Sequence, residues 1–599
     1  MPLNTHTTIS IAGKEFRHFQ TLTIQQSMNG HHSFELLISY DWLHHGGKGL
    51  FTGSRELLGQ EISIHIIPVE AATAPGELRF NGLITAVHAG KESDGTQGFC
   101  LVKGESLTIL LDNNPHIQVF EAQTLGTIVN GHMKNCGPLA GNALIAPVNT
   151  ATHPYLVQYR ESNFVFLQRL AARFGEWFFY DGQRIIFGAY TPANIKLLHP
   201  VSLVDFNLQW QVKSGNTTVN HYDYRQDSCV TTTTMTSTGN MNPDTAHALK
   251  TGNRLYHRSS CNKSGESFHG PANAQVAAWA QLQRKRHIAG LVQLKGHSKH
   301  PGIRIGDTVC TGESLLSREQ HGEFTITQLT HHCSGNGMYY NSFTGIPADN
   351  NVCDVRTNTV PPCESQSAVV TENHDPEGLG RLRVRFRWQQ QGSTPWIRFI
   401  CPHGGGGKGF HFMPETGEEV WVGFEGGNPE LPFVMGAAYN GKAHTPFGDA
   451  GNNLKVIKTR SGHTIMLDDS TGEEQIIISD RNGNAISMDT QARNITITAP
   501  EELLLKARNI RIQATENIEM HAGENISQGA GEDMNAYAGT HATLMATHIM
   551  QQARENFTRT SKTLKEVAEC IDINSIKENM VLASSKTVDI KSVEKIKLF

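Results

Sequence analysis

The 599-residue chain lacks several features that would settle its class at once. No two of its ten cysteines form a Cys-x-x-Cys pair, and they are scattered over the whole length. A disulfide scaffold is excluded, and reduced thiols are expected. The start, Met1-Pro2-Leu3-Asn4-Thr5-His6, has neither a basic segment nor an apolar segment behind it. This predicts no secretory signal and folding in the cytosol. No stretch approaches the ~18 consecutive apolar residues of a membrane helix. Charged residues are only 18%, against about 25% in typical soluble proteins.

Charge of one sign is also missing. Lys and Arg number 51 and Asp and Glu 56, a net of -5, so a strongly basic nucleic-acid binder is not indicated. The 30 histidines are scattered, and the pairs His44-His45 and His331-His332 lack nearby Cys or carboxylate partners at zinc spacing. Structural, hydrogen-bonded histidine is the expectation. Neither G-x-S-x-G nor H-E-x-x-H occurs. The run His403-Gly404-Gly405-Gly406-Gly407-Lys408-Gly409 fails as a phosphate loop. It has Pro402 where the first glycine belongs and Gly409 where Ser or Thr belongs. A flexible surface loop is expected there, and no catalytic residue, cofactor or metal is predicted.

What is present is β texture. A length of 599 residues at about 150 per domain implies roughly four domains. Thr21–Ile24, Ser33–Ile38, Glu61–Ile66 and Phe80–Ile84 read as strands, with period-two alternation clearest at 61–66. Two helices follow, from Thr124 to about Asn135 and from Asn163 to Phe174, the second closed by Gly175. Asp181-Gly182 between Glu176–Tyr180 and Arg184–Phe187 predicts a hairpin. A helix is expected over about 273–287, and strands at 291–294 and 323–326. The Asn- and Pro-bearing stretch 345–366 reads as a linker. Residues 367–440 form a compact β unit.

Beyond about residue 455 the texture changes. Proline is absent after Pro500, and Asn509-Ile510, Asn517-Ile518 and Asn525-Ile526 recur eight residues apart, continued by Asp533-Met534. Leu582, Ile590 and Leu598 keep the same spacing. Apolar pairs two residues apart accompany the repeat: Ile495/Ile497, Ile510/Ile512, Ile518/Met520, Ile571/Ile573, Val588/Ile590 and Ile596/Leu598. Residues two apart share one face of a strand, and eight residues allow one short strand and a bend. One such thin chain encloses little core, whereas three chains around one axis would form a prism. Residues 541–568 are rich in helix formers, but the repeats on both sides hold their phase, so a helix is not expected there.

The most specific segment is Asp375–Trp388. Arg381, Arg383, Arg385 and Arg387 fall on one face of a strand, and Leu382, Val384, Phe386 and Trp388 on the other. Binding of single-stranded nucleic acid needs aromatics and cations on one surface. The aromatics are therefore expected in the core and the Arg row in ion pairs with a neighbouring strand or subunit.

With these pieces in this order, the chain resembles the VgrG family, the trimeric spikes of type VI secretion systems, which are similar to the hub and needle of contractile phage tails. The hub resemblance is carried by Tyr159-Arg160-Glu161-Ser162-Asn163-Phe164, Phe166–Leu170 and Gly175–Tyr180. The OB-fold resemblance is carried by Asp375–Trp388, Trp396-Ile397-Arg398, Pro414–Val422, Gly426–Pro432 and Gly436–Asn440. The resemblance implies a mostly β protein with an α+β hub-like domain at 1–365, an OB-fold at 366–445 and an intertwined triple-stranded β-helix needle at 446–599. It implies a non-enzymatic homotrimer that docks on the secreted tube, meets baseplate proteins, carries a PAAR-type tip and effectors, and touches target membranes only by puncture. Such a protein is cytoplasmic during assembly and then leaves through the apparatus. The needle core would be Ile510, Ile512, Ile518, Met520, Ile526, Val588 and Ile590, and the tip would seat on Ile596, Leu598 and Phe599. Residues 440–455 leave no room for an inserted lysozyme domain, and a repeat running to Phe599 predicts no appended toxin. A contractile-prophage baseplate protein is the alternative; an OB-fold enzyme or nucleic-acid binder is the remote one.

Overall fold

A computed structural model describes residues 3–16, 18–39, 49–69, 76–91, 98–134, 136–137, 141, 143–234, 241–258, 260–263, 272–313, 319–350, 352 and 360–597. The chain divides into two compact units, one of 1–457 with 465–476, the other of 458–464 with 477–599. The architecture is mostly β, with few helices.

Alternation builds the first barrel. In Glu61–Pro68 the residues Ile62, Ile64 and Ile66 are almost fully buried, while Ile67 faces out. Strands Thr21–Ser27, Ser33–Ser39, Gly98–Ser106, Leu78–Lys91, Glu61–Pro68 and Leu3–Ile11 pair in that order, all antiparallel. Strands Gln320–Ser334 and Met338–Pro347 flank the two ends of this series and pair with each other, closing the ring. The same two strands continue outward into a second set. Thr308–Glu313 and Asn194–His199 lie beyond one, and Val292–Ser298 and Leu203–Trp210 beyond the other. One apolar core fills the ring, around Ile24, Phe34, Ile64 and Phe80. A second lies around Leu203, Leu294, Val309 and Phe324.

Local signals set the helix beside the ring. The Ser162 hydroxyl caps helix Asn163–Phe174 by accepting from Val165 N, and Gly175, at φ 76°, ends it. Its buried face carries Phe166, stacked on Phe120 at 5.3 Å, with Leu167 and Leu170. The Asp181-Gly182 turn forms, but its first strand starts at Phe178 rather than Glu176. The Glu176 carboxylate is instead engaged by the backbone N–H groups of Val148 and Asn149. The expected linker is shorter than its composition implies, because Gly345–Pro347 complete strand Met338–Pro347. Among the described residues, no helix is long and apolar enough to cross a membrane.

A small barrel follows. Ile397–Arg398, Arg381–Phe386, Gln366–Glu372, Glu419–Phe424 and Pro432–Ala437 pair in this order. A parallel bridge between Phe399 and Val434 joins the ends. Leu382, Val384 and Phe386 are buried in its core, as the alternation requires, and Trp388 stacks on Phe386 at 5.3 Å. The glycine-rich run is an exposed hairpin, Gly404-Gly405 against Lys408-Gly409.

In the second unit Ala485–Asp489 pairs antiparallel with Asn494–Thr498, bringing Ile486 opposite Ile497 and Met488 opposite Ile495. From residue 499 to 597 there is neither helix nor strand within the chain, and 541–568 hold no helix. Bends recur instead, at 508, 515–516, 523–524, 531–532 and 539–540 and onward to 593–594. The sequence repeat is thus a repeat of backbone direction.

Inside the first barrel the Gln26 side chain joins two buried imidazoles. It donates to His32 Nδ1 at 3.1 Å and accepts from His331 Nε2 at 3.0 Å. His331 Nδ1 meets the Tyr339 hydroxyl at 2.7 Å, which also accepts from Asn341 Nδ2 at 2.8 Å. Burial pushes the pKa of both His32 and His331 down to about 3. In the unfolded chain each binds a proton near 6.5. The unfolded state therefore holds more protons in this window, so stability rises with pH from about 3 to 6.5. Thermal unfolding followed against pH should show a midpoint that falls steadily below pH 6.5. His331→Gln should flatten that slope; an unchanged slope would refute the assignment.

Candidate functional site

Two regions carry the residues that the sequence singled out. The first is the repeat of the second unit. Ile510, Ile512, Ile518, Met520, Ile526, Val588 and Ile590 are 51–71% exposed, and Ile596 is 48% exposed. Leu598 and Phe599 lie outside the described residues. Among the described residues, the structure therefore brings none of these side chains into a core within one chain. What it provides is a long row of apolar side chains at bend-to-bend spacing, with Ile486, Met488, Ile495 and Ile497 also exposed ahead of it. Contiguous exposed apolar surface on this scale marks an interaction surface.

The second is the junction where the hub-like signature meets the small barrel. Three of the four arginines of the row are paired within the chain, and among the described residues no ion pair involves the exposed Arg385. Arg383 meets Glu372 on the adjacent strand at 2.7 Å, and Arg387 meets Glu419 at 3.0 Å. Arg381 is held by its own turn and not by a neighbouring strand: Asp375 accepts its Nη2 at 2.7 Å. The Arg381 hydrogen bonds hold the Asp375 carboxyl well below the usual carboxylate range.

Deeper in the junction lies an ion cluster that sequence reading missed. Arg169 and Arg173 stand four residues apart on helix Asn163–Phe174. Arg169 donates to both oxygens of Glu161, at 2.8 and 3.0 Å, and to the Val157 carbonyl at 2.7 Å. Glu430, 2% exposed, comes from the loop before the last strand of the small barrel. It pairs with Arg173 and lies 3.5 Å from Arg169, and it accepts Val157 N. Burial alone would raise the Glu430 pKa, but the charges of Arg173 and Arg169 outweigh it and the net shift is downward. Glu161, with one guanidinium, is raised by burial. A hint existed in the sequence: Arg169 has no acid three or four residues away, so its partners must come from elsewhere.

Further bonds tie the same two bodies. Tyr159 Oη donates to Glu364 at 2.9 Å and accepts from Gln366, whose carbonyl takes the Trp388 indole N–H at 2.8 Å. Glu121 of the hub-like part accepts Ser393 N. The preceding residue must be glycine: Gly392 has φ +74°, and a Cβ there would lie 2.5 Å from the Glu121 carboxylate. Chemically the junction is a clamp, and among the described residues no group of three or more acids, histidines or cysteines could hold a metal.

This geometry, a closed hub-like barrel clamped to a five-stranded barrel, has a matching pair of family models. Residues 48–337 match the phage tail baseplate hub (GPD), and residues 366–439 match the type VI secretion system/phage-baseplate injector OB domain. The class is therefore a contractile-injection hub with an injector OB domain. The curated relatives that the chain matches within that class are VgrG spike proteins of type VI secretion systems. It is 22% identical over 480 residues to the type VI secretion system spike protein VgrG5 of Pseudomonas aeruginosa, covering 69% of this chain and 57% of that one. It is 23% identical over 502 residues to VgrG1a of the same organism, covering 76% and 74%. The chain thus spans little more than half the length of the first of these relatives. A chain of the Francisella PdpA–VgrG complex shares the fold at a TM-score of 0.55 and 8% identity, over 82% of this chain and 88% of that one.

The clamp makes a direct prediction. Glu430→Gln keeps the shape and leaves two buried guanidinium groups sharing one fewer counter-charge. Breaking such a buried pair costs about 3–5 kcal/mol. Chemical denaturation should show that loss, and limited proteolysis should cut between the hub-like part and the small barrel at lower protease. Stability within about 0.5 kcal/mol of the parent, the range of an ordinary surface change, would show that the cluster is not a clamp.

Proposed function

We propose that this chain is the homotrimeric spike of a type VI secretion apparatus. In this reading residues 1–365 form the hub that docks on the secreted tube and contacts baseplate proteins, 366–445 form the OB-fold, and 446–599 form the needle. The needle is an intertwined triple-stranded β-helix with Ile510, Ile512, Ile518, Met520, Ile526, Val588 and Ile590 in its core. The observation that carries the reading is the exposed apolar repeat behind an injector OB domain. About 20–33 cal/mol is gained per Å2 of apolar surface buried, and a lone chain forgoes that gain along this whole segment. Two more copies would recover it and would pair the backbone groups left open between bends.

The function would be mechanical and not enzymatic. The spike, made in the cytoplasm, would be driven outward by sheath contraction, puncture the target envelope and bring effectors with it. A PAAR-type tip would seat on the apolar side chains of Ile596, Leu598 and Phe599. A baseplate role in a contractile prophage particle is the second reading, supported by the hub model's phage membership.

Replacing Ile510, Ile518 and Ile526 together by Asp places charges where burial is costly. Native mass spectrometry should then record loss of the trimer that the parent chain shows. A parent chain that is monomeric at micromolar concentration would sink the needle reading. In cells, deleting the sheath gene should remove the protein from the medium while its cytoplasmic level holds, and release without sheath or lysis would refute export by contraction. A chain shortened by residues 593–599 should remain trimeric at the hub yet fail to pull down a co-encoded tip protein.

A further inference from the structure

A cavity of about 410 Å3 lies in the first unit between helices Ala272–Ala289 and Pro243–Leu255 and the chain that follows strand Met338–Pro347. One wall is a single helical face, with Arg284, Lys285 and Ile288 spaced as such a face requires. Arg284 is only 7% exposed, yet its Nε and Nη2 have no hydrogen-bond partner. No ion pair involves it among the described residues, and burial lowers its pKa. A guanidinium cannot shed its charge in a protein, and a buried charge without a counter-charge is costly.

The opposite wall supplies a second orphan of complementary kind. Thr245 is 6% exposed, and its hydroxyl is buried without a partner. It sits in the first turn of helix Pro243–Leu255, whose N-cap is Asn242. The positive end of that helix dipole therefore adds to the field of Arg284 and Lys285. One carboxylate, Asp349, also lines the cavity, and it is occupied in accepting Asn242 N at 2.7 Å. The orphan groups are thus a planar fork of donors and a hydroxyl, with an ammonium beside them. That set matches a tetrahedral or planar oxyanion.

We propose that this cavity is an oxyanion-binding site, receiving a phosphate or carboxylate group on the Arg284 guanidinium with Lys285 and the Thr245 hydroxyl as further donors. The proposal does not depend on the spike reading. The group comes from a free small anion or from an acidic side chain of a second copy, and the chemistry is the same in both cases.

The test uses the full chain in a zwitterionic buffer with sodium chloride matched for ionic strength. Sodium phosphate is titrated while heat and thermal midpoint are followed. With a free anion as ligand, phosphate binds and raises the midpoint. Arg284→Met, which keeps the length and removes the charge, then weakens binding by at least ~10-fold, in line with loss of charge-assisted hydrogen bonds. Thr245→Val weakens it by a smaller factor. With a second copy as the source, phosphate has no effect on the assembled protein, but Arg284→Met lowers its oligomeric state in native mass spectrometry. Phosphate binding that is equal in the parent and in Arg284→Met would overturn the proposal. So would an Arg284→Met chain that is less stable than the parent without phosphate at unchanged oligomeric state, since the guanidinium would then be satisfied inside its own chain.

Discussion

The arrangement of the first unit depends on a charge cluster that contact with water would ruin. Glu430, Arg169, Arg173 and Glu161 are removed from solvent, two of each sign, at the point where a helix of one barrel meets a loop of another. Burying ions is costly unless geometry and hydrogen bonding are both satisfied. Here the Val157 backbone donates its N–H to Glu430 and accepts Arg169 on its C=O, while Arg169 Nη1, 3.5 Å from Glu430, makes no hydrogen bond in the cluster. The consequence is directional. A greasy interface would tolerate sliding by a side chain's width, whereas this one fixes the small barrel at one position and one angle on helix Asn163–Phe174. The Tyr159–Glu364–Gln366–Trp388 chain and the Glu121–Ser393 contact add points at which rotation about the cluster is resisted.

Local physics made part of this visible in advance. The Ser162 cap, the left-handed Gly175 and the Asp181-Gly182 turn each act within a few residues, and each appears where its residue types dictate. The same holds for the split of Arg381–Trp388 into a basic and an apolar face. Ring closure was not visible, because Leu3 pairs with Tyr339 and Gln26 sits beside Leu329 with no local pattern to announce either. The parallel pairing of Asn194–His199 with Thr308–Glu313 is equally silent. Where a side chain had a distant use, local reading failed by a residue or two, as at Glu176, whose carboxylate serves Val148 and Asn149. The junction cluster joins residues more than 250 positions apart, and only the want of an acid three or four residues from Arg169 pointed to it.

The second unit inverts the usual relation between pattern and packing. Its alternation is as regular as that of Glu61–Pro68, but the apolar members are turned to solvent in the single chain. Regular bends keep the direction of those side chains in step from 508 to 594. A single copy that repeats this faithfully while leaving its apolar face open forgoes the burial energy its own pattern offers.

The hairpin formed by Gln320–Ser334 and Met338–Pro347 belongs at once to the closed ring and to the second set of strands. Each strand changes outer partner along its length: residues 320–325 pair with Thr308–Glu313 and 328–334 with Thr21–Ser27, while 338–339 pair with Leu3–Ile11 and 341–345 with Val292–Ser298. Hydrogen exchange at 328–334 therefore reads opening of the ring, and at 320–325 opening of the second set. One pair of strands is thus shared by two cores, and an amide's place along the hairpin tells which of them has opened.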